Sequence, residues 1–187
     1  DRSALKEVLE AGEAPVPVAA PAYPAANLRP SLAMGLPPGT SALWGVVRDG
    51  SRVVPGALLS LATVRDGAAD TVTTLSGRDG SYLIVLPFER IDRSVNPPVR
   101  AFNRVLSVFA PRPDVAAALA AQGFLAGQPA NVFGLTAAQR NARFLPRTFE
   151  LRDTGGTLHP QVGGQNPPVS VSVGMNVRLD IELLPLP

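Results

Sequence analysis

Residues 43–86 read LWGVVRDGSRVVPGALLSLATVRDGAADTVTTLSGRDGSYLIVL. Short aliphatic and β-branched runs alternate here with Arg-Asp-Gly at 48–50, 65–67 and 78–80. Aspartate tolerates left-handed backbone and glycine prefers it, so Asp-Gly closes hairpins. The pattern predicts strands at Leu43–Arg48, Ala57–Val64, Thr71–Ser76 and Ser81–Leu86. The turns between them fall at Asp49-Gly50, Asp66-Gly67 and Asp79-Gly80. A calcium loop would gather several carboxylates on one short loop, and these are dispersed. The order also differs from the integrin-type Arg-Gly-Asp.

Beyond this stretch, Pro87 to Pro98 reads as a loop and Arg104–Ala110 as a fifth strand. A helical insertion is expected over about 112–145. Asp114 is its first candidate cap, ahead of Val115–Gln122, and Gly123 its stop. Thr136 and Gln139 have capping-box spacing for a second short helix to about Arg143. Arg147–Arg152 is expected as a sixth strand, Thr154 to Pro168 as a polar loop, and Val169–Val173 as a further strand. In Asn176–Leu183 the apolar set Val177, Leu179, Ile181 and Leu183 alternates with Asn176, Arg178, Asp180 and Glu182. That is the signature of a half-buried strand. Its apolar side is expected to face inward with Trp44, Val46, Leu59, Leu61 and Ile84. About seven short strands with turn signals predict an antiparallel β-sandwich over 43–187.

The segment before residue 43 differs. Residues 1–12 read as a short helix, capped by Ser3 and stopped by Gly12, with Leu5, Val8 and Leu9 on one face. Residues 13–42 are Pro/Ala-rich and favour extended, semi-rigid chain. Two readings stand: a spacer, or an arm that lies on a partner subunit. Tyr23, Leu28, Leu32 and Met34 would join Leu5, Val8 and Leu9 as the partner-binding residues of such an arm, with Leu36 as a further anchor.

Composition narrows the function classes. The chain has 187 residues, 45% hydrophobic and 17% charged, with 20 prolines and 17 glycines. That is a globular balance, punctuated for short strands rather than a helical bundle. Its net charge is only +2, and its arginines are spread along the sequence rather than clustered among aromatics. Nucleic acid is therefore not an expected partner. No apolar run approaches the roughly 20 residues of a membrane span. Without cysteine there are no disulfides and no thiolate ligands. This leaves a cytoplasmic assembly and an extracellular particle both open.

Three motifs carry a family resemblance: Trp44-Gly-Val-Val-Arg-Asp, Val54-Pro-Gly-Ala-Leu-Leu-Ser-Leu, and Thr73-Thr-Leu-Ser-Gly-Arg-Asp-Gly-Ser-Tyr-Leu-Ile. They resemble the carboxypeptidase regulatory-like, or transthyretin-like, domain. The resemblance covers residues 43–86 and implies a transthyretin/prealbumin-like sandwich with no active site. It assigns Gly56 the entry to the second strand, Gly80 a turn with positive φ, and Tyr82 a buried aromatic position. The helical stretch within 87–168 departs from a minimal member. An enzymatic branch of that group needs paired histidines and a Tyr-Arg-Gly-Ser-like tail. This chain has one histidine and ends in Leu-Pro-Leu-Pro. A weaker resemblance is to accessory components of phage-tail-like contractile injection particles.

No catalytic, cofactor or metal residue emerges from the remaining polar groups. His159, the lone histidine, reads as a solvated loop residue, with no G-x-S-x-G elbow for a triad and too few ligands for zinc. The only lysine is Lys6, and Gly163-Gly164 leads into Gln165-Asn166-Pro167 rather than a helix, so no phosphate loop forms. Nothing in the spacing of Glu89, Asp92 and Asp153 places two carboxylates together for glycosidase chemistry. Asp180 and Glu182 read as the solvated face of an edge strand. The helix around Val115–Gln122 and the Phe124/Phe133 region read equally as a contact surface or as a cap on the sandwich. The expected function is a non-catalytic structural or assembly module that binds other protein subunits, a homo-oligomer included. The alternative is a carbohydrate- or surface-binding accessory domain of a secreted bacterial protein. Trp44 and Phe102 would then stack on sugars, although core burial is the simpler role for Trp44.

Overall fold

The computed structural model describes residues 36, 39–65, 67–86, 101–122 and 135–186. The expected helix at 1–12, nearly all of the arm, the loop at 87–98 and Phe124/Phe133 lie outside them. The described chain is mainly β, with two helices. Its elements are β1 (Ala42–Asp49), β2 (Arg52–Val53), β3 (Leu58–Arg65), β4 (Ala68–Leu75), β5 (Ser81–Val85), β6 (Ala101–Arg104) and β7 (Leu106–Pro111). Helices α1 (Pro113–Gln122) and α2 (Ala137–Arg143) follow. Then come β8 (Phe144–Arg147), β9 (Phe149–Asp153), β10 (Leu158–His159), β11 (Val169–Ser172) and β12 (Asn176–Leu183).

One sheet runs β10-β9-β12-β1, and β1 carries both β5 and β2 on its other side. A second sheet runs β4-β3-β7-β8, and β11 pairs with β6 in a ribbon. Side chains from both larger sheets share one core, among them Leu43, Val47, Leu59, Val108, Phe149 and Ile181. Fully burying one such aliphatic side chain stabilises by about 1.5–3 kcal/mol. Leu58, Leu75, Phe109 and Phe144 form a smaller cluster, with Leu135 packed against it. Beside it, the Arg140 guanidinium of α2 lies 4.7 Å from the Phe109 ring centre.

The turns follow their chemistry. Gly50, Gly67 and Gly80 all have positive φ, as does Gly56 at the entry to β3. At Gly80 a Cβ would also sit 2.8 Å from the Val47 carbonyl oxygen, so glycine is required there twice over. The capping box before α2 is formed in full: the Thr136 hydroxyl accepts from Gln139 N at 3.2 Å, and Gln139 Oε1 accepts from Thr136 N at 3.0 Å. Pro113 opens α1, which places Asp114 in the first turn rather than at the cap.

Several expectations about the strands need correction. Pairing is not antiparallel throughout, because β1 and β12 run parallel. The expected fifth strand is β7, but a strand that was not expected, β6, precedes it, and at Val105 the chain passes from pairing β11 to pairing β3. The expected sixth is β9, but β8 precedes it from Phe144, inside the end of the expected helical insertion, and belongs to the other sheet. The polar loop at 154–168 contains the short strand β10. Last, Trp44 and Val46 are only half-buried, whereas Leu43 and Val47 are in the core. Alternate residues of a strand point to opposite faces, so Gly45, not Trp44, shares the inward side.

Candidate functional site

At one end of the two-sheet body lies a cleft of about 850 Å³. Three local structures assemble it. The hairpin β1–β2 contributes Asp49, Arg52 and Val53, and Val54 and Pro55 follow directly. Its two-residue turn is allowed by Gly50 in left-handed conformation, and the Gly50 N–H donates to Glu182 Oε1 at 2.7 Å. The turn between β4 and β5 contributes Arg78. That turn is tied to β1 by the Val47 N–H, which donates to the Gly80 carbonyl at 2.9 Å. The second sheet contributes Ala110, Pro111 and Arg147, and α1 adds Ala116.

Arg147 connects the two halves. One of its terminal nitrogens donates to Asp49 Oδ2 at 3.1 Å and the other to the Leu184 carbonyl at 2.6 Å. Its side chain is 9% exposed against 48% for Asp49, and its Nε is buried without a hydrogen-bond partner. Arg52 and Arg78 form no ion pair with any described residue. Three arginines against one aspartate leave the cleft at +2. Guanidinium forks match the geometry of carboxylates and phosphates, and the Val53–Pro55 wall suits an apolar neighbour of such a group. The cleft is equipped to hold an acidic, partly apolar ligand. Its described lining contains no histidine, serine or cysteine with which to attack one.

The seven partner-binding residues expected from sequence, Leu5, Val8, Leu9, Tyr23, Leu28, Leu32 and Met34, lie outside the described residues, as do Glu89 and Asp92. His159 is on β10 rather than in a loop, with Nε2 3.3 Å from Asp153 Oδ2, and both are solvent-accessible. The Asp153 carboxyl is held below the usual range, first by the Thr157 N–H and more weakly by His159. Asp180 and Glu182 are not on an edge strand, since β12 lies between β9 and β1. Asp180 Oδ1 accepts from Val46 N at 3.1 Å, and its carboxylate also receives Arg178. Trp44 and Phe102 each carry a guanidinium over one ring face, Arg178 at 5.3 Å and Arg104 at 5.1 Å.

The arginines of the cleft are far apart in sequence and were read there as spread along the chain. Arg78 belongs to one Arg-Asp-Gly turn motif and Arg52 follows another, whereas Arg147 had no such signal. When β1 and β5 pair antiparallel, the turn after one and the turn before the other share an end, which brings Arg52 and Arg78 together. Among the described residues no group of three or more His, Cys, Asp or Glu side chains converges, and no helix is long and apolar enough to cross a membrane. Neither a scan against protein-family models nor a search of curated proteins finds a match to this chain.

Proposed function

We propose that the chain is a non-catalytic module that joins protein subunits, a transthyretin-like sandwich with residues 1–42 as a docking arm. One observation carries this reading. The buried hydrophobic residues described run from Ala42 to Leu183, and both sheets contribute to their shared core. In this reading the apolar residues of the arm are the contact with another chain. The positions that the family resemblance singles out agree with it: Gly56 and Gly80 have positive φ, and Tyr82 is buried. The setting we assign is an accessory component of a phage-tail-like contractile injection particle. A sugar platform is the weaker reading, because one face of both Trp44 and Phe102 is taken by arginine.

The test compares the full chain with a form that starts at Ser41, by thermal melting and by light scattering. The expected result is an unchanged melting temperature with assembly lost. Unfolding of the shorter form would assign the arm to the core. Normal assembly would reduce the arm to a spacer.

A further inference from the structure

The cationic cleft suits an acidic, partly apolar segment, and the chain contains one of that character. Residues 1–13 carry Asp1, Glu7, Glu10 and Glu13 against Arg2 and Lys6, a side-chain charge of −2 that opposes the +2 of the cleft. The same segment holds Leu5, Val8 and Leu9, which suit the wall formed by Val53, Val54 and Pro55. At about 850 Å³ the cleft exceeds the needs of a single anion. It falls within the roughly 300–1,000 Å³ of sites that enclose larger ligands.

We infer that residues 1–13 of one copy dock in the cleft of a second copy, with glutamates on Arg52 and Arg78. This rests on the reading of residues 1–42 as a docking arm. The assembly role proposed above selects a second copy over the same one. β1 runs from Ala42 to Asp49, so the arm joins the end of the strand away from the cleft, across eight residues or roughly 25 Å. Residues 14–41, extended at about 3.1 Å per residue, span roughly 85 Å, enough to reach a neighbour. Opposite charges across such a contact fix the register and suppress wrong partners.

Charge reversal tests the contact in the full chain. R52E/R78E inverts the cleft, and E7R/E10R/E13R inverts the arm. The expected result is concentration-dependent self-association of the unaltered chain by sedimentation velocity, weakened about tenfold or more in either variant. An equimolar mixture of the two variants should restore it, because each inverted surface then meets an opposite charge. Melting curves that match the unaltered chain establish that both variants are folded. Undiminished association of R52E/R78E, no recovery on mixing, or an unaltered chain that stays monomeric would each overturn the inference. If removal of residues 1–40 abolishes assembly while the reversals do not, the arm reading stands and its seat lies elsewhere.

Discussion

Tyr82 donates its hydroxyl to the Leu179 carbonyl at 2.6 Å, in the core, with Gly45 as its register partner on β1. A Cβ at Gly45 would collide with that same carbonyl, so the glycine leaves the room in which the tyrosine meets it. Tyr82→Phe keeps the ring and leaves the carbonyl without its side-chain donor, at a cost of about 1–3 kcal/mol. Burial first, and the Asp180 charge second, push the Tyr82 hydroxyl far above its ordinary pKa of 10.0. The neutral form is thus favoured in the folded state. Its contribution is fully present below the unfolded pKa and is lost as pH rises above about 10. Denaturant titrations on either side of that pH should show an alkaline loss of stability that is smaller in Tyr82→Phe. An equal alkaline loss in both proteins would remove Tyr82 as its source. The sequence resemblance marked Tyr82 as buried. The carbonyl that it satisfies lies 97 positions away and has no local signal.

At the scale of elements, the alternation of β12 was legible and its neighbours were not. Leu179, Ile181 and Leu183 are buried, and Val177 packs partly against the core, as period-two alternation requires. The same alternation serves an edge strand or a central one, and a parallel or antiparallel partner, so it could not place β12 between β9 and β1. On β1 the error was to turn the largest side chain inward, when the inward position between Leu43 and Val47 belongs to a glycine. The β1–β12 pairing has partners at Trp44↔Arg178 and Val47↔Ile181 with none between. Within that gap, Asp180 takes the Val46 N–H and Tyr82 takes the Leu179 carbonyl. Asp180→Ala should therefore destabilise by about 1–3 kcal/mol by leaving a half-buried N–H unpaired. A solvated edge carboxylate would cost within about 0.5 kcal/mol. Chemical denaturation separates these two outcomes.

At the scale of the molecule, the cleft separates residues that hold the sheets together from residues free to bind. Arg147 belongs to the first class. It stands at the end of β8 in the second sheet and reaches Asp49 of β1, in the first sheet, and the Leu184 carbonyl just after β12. Arg147→Ala removes both contacts and should destabilise by about 1–3 kcal/mol, less than a fully buried pair because Asp49 remains half-exposed. Arg147→Lys should recover only part of this, since a single ammonium cannot serve two divergent acceptors as a guanidinium fork does. Arg52 and Arg78, both exposed and without ion pairs to described residues, belong to the second class. Replacing both with alanine should change stability by no more than about 0.5 kcal/mol. Equilibrium denaturation of the three variants side by side gives the ordering. If Arg147→Lys matches the parent, charge alone joins the sheets there and the two-acceptor geometry is dispensable. If the Arg52/Arg78 double variant falls as far as Arg147→Ala, the cleft is part of the fold rather than a surface held open for a partner.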